Sequence, residues 1–269
     1  MVLRWFGRWA ILLAVVAGGS SARADDFDPA RIASDSEWRV IVSPNVWAAS
    51  LKGDATLAGR TTDVDVPFSD VLGHLDFAVM GNVEATNGQW GVYFDGQHVL
   101  TSQDEEVFHH QLGLDIQTTI LSAGAFYKVY EEQLGGVTVF GQPRRFSVEP
   151  TVGVRWTRLK ATVDAGFLKA TKRADWTDPF VGLRLNADLN ERWTVNAEAD
   201  IGGFDIGSKL SVNAQAYLGY RTHMGNLPTI LRVGYRVLSQ DYEGDDFTGN
   251  TFKWNVTQHG PVVGLSIRF

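Results

Sequence analysis

The sequence predicts an all-β protein, namely a closed antiparallel transmembrane β-barrel of about ten strands. Three observations favour this fold class: an N-terminal segment typical of exported proteins, a hydrophobic period of two that begins near Trp38, and a last strand that ends on Phe269. Each feature is common by itself. Together they favour a barrel over a soluble β-sandwich, whose strands also alternate between apolar and polar residues.

The first residues have the parts of a Sec-type signal peptide. Arg4 and Arg8 precede a short apolar run, and small residues surround the expected cleavage position after Ala24. The run is too short for a membrane helix, which needs about 18 or more apolar residues. We therefore predict a signal peptide at 1–24, a periplasmic N-terminal segment at 25–37 and the barrel at 38–269.

Composition and charge narrow the classes of function. The formal net charge is −7, and the chain becomes more negative when the arginines of the signal peptide are removed. An acidic chain without a basic patch is not expected to bind nucleic acid. The chain has no cysteine, so an exported fold must be stable without disulfides.

Apolar and polar residues alternate in ten segments. In the cleanest of them, apolar residues occupy the odd positions from Trp193 to Ile201, and polar residues occupy the even positions from Thr194 to Asp200. Most segments can cross a hydrocarbon layer, which takes about 9 to 11 tilted residues. An even strand number suits a closed antiparallel barrel. The segments are 38–48, 77–85, 90–97, 121–129, 146–157, 181–186, 193–201, 210–221, 231–237 and 263–269.

The connections alternate in length, as expected for short periplasmic turns and longer outer loops. The Asn87-Gly88 dipeptide is a strong signal for a tight hairpin. Two connections break the alternation, because 131–145 is long for a periplasmic turn and 204–209 is short for an outer loop. Eight or twelve strands therefore also fit the sequence. The predicted outer loops are 53–75, 103–113 and 244–250.

The first long loop contains the pattern of one helical turn. Ser69 or Asp70 can cap a turn that runs through Leu75, with Phe68 and Leu72 as its apolar contacts. Such a turn would form either a plug over the barrel mouth or, as we favour, an ordered loop that covers only the rim.

The polar faces of the segments carry long charged side chains of both signs, which can pair across a narrow lumen. Burying one of these charges without a partner would cost several kcal/mol, so we expect the carboxylates to be bridged to arginines. The predicted lumen charge network comprises Arg39, Glu84, Asp95, Lys128, Glu149, Arg155, Arg184, Glu198, Asp200, Arg221, Arg232 and Arg236.

Large aromatic residues lie near the ends of the apolar faces, as in the interfacial girdles of membrane barrels. The terminal Phe269 resembles the C-terminal signature of proteins that are delivered to the outer-membrane assembly machinery. The predicted interfacial aromatics and terminal signal are Trp38, Trp90, Phe146, Trp193 and Phe269.

Three stretches resemble a proteobacterial family of small, mostly uncharacterised outer-membrane β-barrels. They are 64–85, 176–182 and 202–204, and the resemblance extends over nearly the whole mature chain. It implies a barrel fold and a location in the Gram-negative outer membrane. It implies no activity and no functional residue.

Three hypotheses on function follow. The favoured one is a structural or envelope role with a closed, charge-paired lumen. The second is a narrow channel for small ions or solutes, since Arg221, Arg232 and Arg236 lie on adjacent strands. The third is a lipid A or phospholipid hydrolase, which needs a serine beside a histidine. His98 and Ser102 share a face, but about 13 Å separates them at about 3.3 Å per residue, so we predict no catalytic residue.

We predict no metal site and no cofactor. His109-His110 beside Asp104 to Glu106, and the acidic run from Asp241 to Asp246, could hold a divalent cation, but charges in water are the favoured interpretation. The expected partners are outer-membrane lipid, lipopolysaccharide and the assembly machinery, which would bind the C-terminal strand. We expect a monomer.

Overall fold

A computed structural model describes residues 38–57, 59–107, 110–164, 169–245 and 251–269. The predicted signal peptide and N-terminal segment lie outside these ranges, as do His109 and residues 246–250. Within them, no helix is long and apolar enough to cross a membrane. The elements in chain order are β1 (Arg39–Trp47), β2 (Ser50–Leu57), β3 (Arg60–Val66), α1 (Phe68–Gly73), β4 (Leu75–Thr86), β5 (Trp90–Val107), β6 (His110–Tyr127), β7 (Tyr130–Val137), β8 (Pro143–Asp164), β9 (Lys169–Asp188), β10 (Trp193–Gly203), β11 (Leu210–Met224), β12 (Leu227–Asp245) and β13 (Thr251–Arg268).

The strands form a closed antiparallel barrel. Its wall runs in the order β1, β4, β5, β6, β8, β9, β10, β11, β12 and β13, and β13 pairs again with β1. β2 continues the line of β1 along β13, from His259↔Ser50 onwards. Counting β1 and β2 as one wall strand, the wall described here has ten strands, and the predicted fold class is confirmed.

The strands are staggered around the barrel. Paired residues traced from Ile41 through each neighbouring strand lead to Val256 on β13. The partner of Val256 is Gly53, which lies beyond Ile41 on the same wall strand. Closure with such an offset requires strands that tilt against the barrel axis.

The period of two in the sequence separates two environments. On β12, Leu231, Val233 and Tyr235 are exposed on the outer side of the wall, while the side chain of Arg236 is buried inside. The same alternation on the other wall strands gives the barrel a largely apolar outer surface and a polar interior.

Asparagine side chains shape the short turns at one end. Asn87 Oδ1 accepts hydrogen bonds from the backbone N–H groups of Gln89 and Trp90, at 3.0 and 2.7 Å. Gly88 has a φ of 87°, which glycine adopts without strain. The hairpin predicted from Asn87-Gly88 is therefore confirmed.

Within the described residues, the strands extend into the segments predicted as longer outer loops. Residues 53–57 and 60–66 belong to β2 and β3, β5 continues to Val107, β6 begins at His110 and β12 reaches Asp245. Most of the predicted loop 244–250 lies outside the described residues. A wall that projects beyond hydrocarbon has water on both faces, so its strands lose the apolar alternation. The 131–145 connection likewise contains β7, which folds back onto β8.

The short 204–209 connection is a tight outer turn. Phe204 and Asp205 adopt positive φ angles of 51° and 58°. The fully buried Asp178 stabilises this turn, because its Oδ1 accepts a hydrogen bond from the backbone N–H of Ser208 at 2.6 Å.

The predicted helical turn exists, but its predicted cap was wrong. The N-cap residue is Pro67, and no side chain caps the helix there. The hydroxyl of Ser69 donates instead to its neighbour Asp70 at 3.2 Å. The first helical N–H, that of Phe68, donates to Ser50 Oγ of β2 at 3.0 Å, which ties α1 to the wall.

Candidate functional site

The interior of the barrel contains a hydrogen-bonded ion pair between Arg155 and Asp200. Nη2 of Arg155 lies 2.8 and 2.9 Å from the two carboxylate oxygens. Its Nη1 and Nε donate to the hydroxyls of Ser211 and Ser122 at 2.9 and 3.3 Å. Both charged side chains are at most 2% exposed. The pair is therefore desolvated and has further hydrogen bonds, which is the condition for tolerating buried charge.

A second arginine extends this network across the lumen. Arg236 Nη2 donates to Asp95 Oδ1 at 3.0 Å, and its Nε donates to Asn213 Oδ1 at 3.1 Å. Asn213 Nδ2 in turn donates to Asp200 at 2.8 Å. Asn213 thus joins the Arg236 pair to the Arg155 pair, and the hydrogen-bonded chain connects β5, β12, β11, β10 and β8.

A third arginine, Arg184, lies closer to the periplasmic turns. Its Nη2 donates to Glu84 Oε2 at 2.7 Å, and its Nε lies 3.8 Å from Glu149. The guanidinium also lies 4.0 Å from the centre of the Phe126 ring. Because Glu84 and Arg184 come from β4 and β9, this pair also crosses the interior.

Arg221 has a partner that the sequence interpretation missed. It pairs with Asp188, whose other carboxylate oxygen accepts the backbone N–H of Arg145 at 2.9 Å. The sequence did contain a signal, since Asp188 lies two positions after Asn186 and four after Arg184 and therefore shares their inward face. The predicted strand ended at residue 186, so Asp188 was left out.

The remaining predicted network residues have other surroundings. Glu198 accepts a hydrogen bond from Gln215 at 3.1 Å, and the guanidinium of Arg232 lies 4.7 Å from the centre of the Tyr217 ring. Lys128 pairs with its near neighbour Glu131 and does not bridge the lumen. Arg39 lines the cavity at the periplasmic end of the interior.

Apolar side chains fill another part of the lumen. Trp47, Ile120, Leu238 and Val262 come from four different strands, and each is at most 3% exposed. We call these four side chains the apolar plug. The guanidinium of Arg236 lies 5.0 Å from the centre of the Trp47 ring, so the plug packs directly on the charge network. The sequence interpretation treated the inward faces as polar and did not find it.

Two small cavities lie in the described part of the interior. One, of about 170 Å³, is lined in part by Asp95, Glu198 and Tyr217. The other, of about 220 Å³, lies at the periplasmic end. Glu84 and Arg184 line both cavities and therefore lie between them. Since a water molecule occupies roughly 30 Å³ of liquid, the two cavities have room for about six and about seven waters.

The predicted interfacial aromatics lie near one end of the barrel. Trp90 and Trp193 begin β5 and β10, and their rings lie 4.4 and 5.0 Å from those of Tyr127 and Tyr220. Four of the five predicted aromatics are exposed large hydrophobic residues; they are Trp38, Trp90, Trp193 and Phe269. The ring of Phe146 lies 6.2 Å from that of Tyr130.

The candidate hydrolase pair is not assembled. His98 Nδ1 lies 2.8 Å from Thr119 Oγ1, whereas the hydroxyl of Ser102 donates to Asp76.

The candidate cation site at His109-His110 beside Asp104 to Glu106 lies outside the described side chains, as does Asp246 of the second candidate. Among the described residues, no group of three His, Cys, Asp or Glu side chains could hold a metal ion. In the acidic run that begins at Asp241, Glu243 pairs with Lys209 and lies 3.6 Å from Lys253.

Comparisons with known proteins give similarity in structure only. No protein-family model and no curated protein matches the sequence. The outer membrane protease OmpT from Escherichia coli has 9% identity, and the alignment covers 86% of this chain and 96% of that chain with a TM-score of 0.48. Ail, the attachment invasion locus protein of Yersinia pestis, has 13% identity, coverages of 86% and 98%, and a TM-score of 0.37 in its complex with the heparin analogue sucrose octasulfate. Neisserial surface protein A has 13% identity, coverages of 86% and 97%, and a TM-score of 0.31. The resemblance to a family of small proteobacterial barrels therefore stays a prediction from the sequence.

Proposed function

We propose that the chain spans the bacterial outer membrane as a non-conducting barrel with a structural or envelope role. The apolar outer surface supports the membrane location, since residues such as Val152, Val181 and Val233 are more than half exposed there. Except where the β1–β4 ladder ends beyond Pro44↔Gly81, the wall also pairs its backbone groups internally, as a hydrocarbon environment requires.

The observation that carries the closed-lumen proposal is that ion pairs and apolar side chains together fill the interior. The Arg236–Asp95 pair joins β12 and β5, which lie on opposite sides of the barrel, and the Arg155–Asp200 pair joins β8 and β10, which flank β9. The apolar plug, which includes Leu238, occupies space beside them. An interior of about eight strands is just filled by side chains, and ten strands add only a little room.

Ion flux into vesicles tests this proposal. Wild-type protein refolded into vesicles should add no measurable leak of potassium or chloride. Truncation of the plug by combined Trp47→Ala, Ile120→Ala and Leu238→Ala substitutions should produce a leak. In the matched control, the outward-facing Leu218, Leu231 and Val233 are truncated to alanine. This variant should add no measurable leak. A leak through wild-type protein would contradict the proposal.

A narrow ion channel is the second candidate, and the two cavities in series favour it. Their linings include Arg39, Arg221 and Arg268 at the periplasmic end, which would attract anions. A chloride leak through wild-type protein that exceeds its potassium leak would support this candidate.

We propose that the chain is not a lipid hydrolase. The separate partners of His98 and Ser102 support this, because a catalytic serine needs a base within hydrogen-bond reach. Lipid A and phospholipid profiles should be the same with and without overexpression of the protein. A new deacylated species that disappears in a Ser102→Ala variant would contradict the proposal.

A further inference from the structure

The barrel wall contains a seam where neighbouring strands separate. β1 and β4 pair from Arg39↔Thr86 as far as Pro44↔Gly81. Further outward, the N–H of Trp47 approaches the sulfur of Met80 at 3.3 Å instead of a backbone carbonyl.

On either side of the seam each strand has a different neighbour. β2, which continues β1, pairs with β3, and β4 pairs with β5. Side chains and α1, rather than a ladder of backbone hydrogen bonds, therefore close the wall at this point.

An apolar cavity lies behind the seam, and we call it the seam cavity. It measures about 120 Å³, and its lining includes Phe68 and Val71 of α1, Trp47 of β1 and Ala78 of β4. For comparison, an apolar cavity of about 150 Å³ engineered in another protein binds benzene. The seam cavity therefore has about the size of one aromatic ring.

A wider apolar depression lies on the outward side of the same wall. It measures about 340 Å³, and Val79 and Phe94 belong to its lining. Both are about half exposed on the surface that we propose to face hydrocarbon. Met80 and Gln97 line the depression and the seam cavity alike. These two side chains are thus the partition between the outer surface and the seam cavity.

Two residues that line the seam cavity each carry an enclosed polar atom without a partner among the described residues. Gln97 is 6% exposed, and its Oε1 has no hydrogen-bond partner, although its Nε2 donates to Gln258 at 3.3 Å. Trp47 is 3% exposed, and its Nε1 also has no partner. A buried donor or acceptor without a partner is costly. A hydroxyl group can donate to the carbonyl oxygen of Gln97 or accept from the indole N–H of Trp47.

We propose that the seam cavity binds a single-ring aromatic alcohol, which enters from the membrane between β1 and β4. The ring occupies the apolar volume beside α1, and the hydroxyl donates to Oε1 of Gln97. Met80, an unbranched and adaptable side chain, moves aside to admit the ring. The seam cavity shares Trp47 with the apolar plug, and Met80 packs against the plug, but binding in the cavity requires no conduction through the lumen.

Binding of phenol and toluene to refolded full-length mature protein tests the proposal. Phenol should bind saturably to wild-type protein in vesicles, measured by ligand-detected NMR. Gln97→Leu should weaken phenol binding about five- to tenfold, the range expected for one hydrogen bond, and should change toluene binding less than about twofold. Equal phenol binding by both proteins, or no saturable binding by the wild type, would overturn the proposal.

A second variant distinguishes binding in the seam cavity from binding elsewhere on the protein surface. Val71→Trp fills the seam cavity and should abolish binding of both probes, whereas Val233→Trp on the outward face of β12 should leave both unchanged. A gel shift on boiling confirms that each variant is folded. Retained binding in a folded Val71→Trp protein would contradict the location.

The route can be tested because the chain has no cysteine of its own. A bulky thiol reagent attached to Val79→Cys, at the outer edge of the seam, should slow phenol uptake several-fold. The same reagent on Val152→Cys of β8 should not. Equal uptake rates for the two labelled proteins would exclude the seam as the route.

Discussion

The charged centre of the lumen and the seam cavity are both buried, but they differ in how their polar atoms are paired. Around Arg155, Nε, Nη1 and Nη2 all donate to side chains on other strands. In the seam cavity, Nε1 of Trp47 and Oε1 of Gln97 have no partner among the described residues. Complete pairing makes the Arg155–Asp200 centre a rigid filling, although elsewhere in the lumen Nη1 of Arg184 and Nε of Arg232 have no partner among the described residues. In the seam cavity, incomplete pairing lies beside an apolar space, which leaves a place for a ligand.

The largest expected effect is the loss of one partner from the lumen pair. Asp200→Ala leaves the Arg155 guanidinium buried without its counter-charge, which should lower the free energy of unfolding by about 3–5 kcal/mol. Urea unfolding in vesicles, followed by tryptophan fluorescence, measures the change. The double variant Arg155→Leu with Asp200→Leu should recover a large part of the loss. A single variant as stable as wild type would show that the lumen pair is no more critical than the seam.

Truncation of the apolar plug should have the next largest effect. Leu238 is 1% exposed, and Leu238→Ala should cost about 2–4 kcal/mol because it removes packed methyl groups and leaves a void. Leu231→Ala on the outward face is the control and should cost less. The same unfolding assay compares the two variants. A smaller loss for Leu238→Ala than for Leu231→Ala would contradict a packed lumen.

Loss of a polar group at the seam should change the stability much less than loss of a polar group in the lumen. Gln97→Leu removes an acceptor that has no partner, so the free energy of unfolding should change by less than about 1 kcal/mol despite the lost contact with Gln258. A loss as large as that of Asp200→Ala would mean that Gln97 is a structural group, as the lumen residues are.

The smallest effect should come from the exposed pair of Lys209 and Glu243 on the outer part of the barrel. The hydrogen bond from Lys209 lowers the pKa of the Glu243 carboxyl. Because the folded-state pKa lies below the unfolded one, the stabilisation is present above the ordinary glutamate pKa and is lost as the pH falls through the lowered value. The melting temperatures of wild type and Lys209→Ala should therefore converge at acid pH. A difference that persists there would show that Lys209 acts through something other than Glu243.

The sequence predicts the wall of the barrel better than its filling. The outward faces of strands such as 193–201 can be predicted from the sequence, because a uniform apolar environment outside the wall favours an apolar residue at every second position. A prediction from this alternation assigns polar residues to the inward faces. It therefore cannot show that Trp47 and Ile120, which come from distant strands, pack together inside the barrel. Nor can it show that β1 and β4 separate after Pro44, because strand pairing is a property of two segments at once.

Single-channel recording on wild-type protein in a planar bilayer tests the closed lumen most directly. Wild-type protein should show no stable unitary current at any applied voltage that the bilayer tolerates, and current should appear when Trp47, Ile120 and Leu238 are all truncated. A steady, reproducible unitary conductance from folded wild-type protein would contradict a closed lumen.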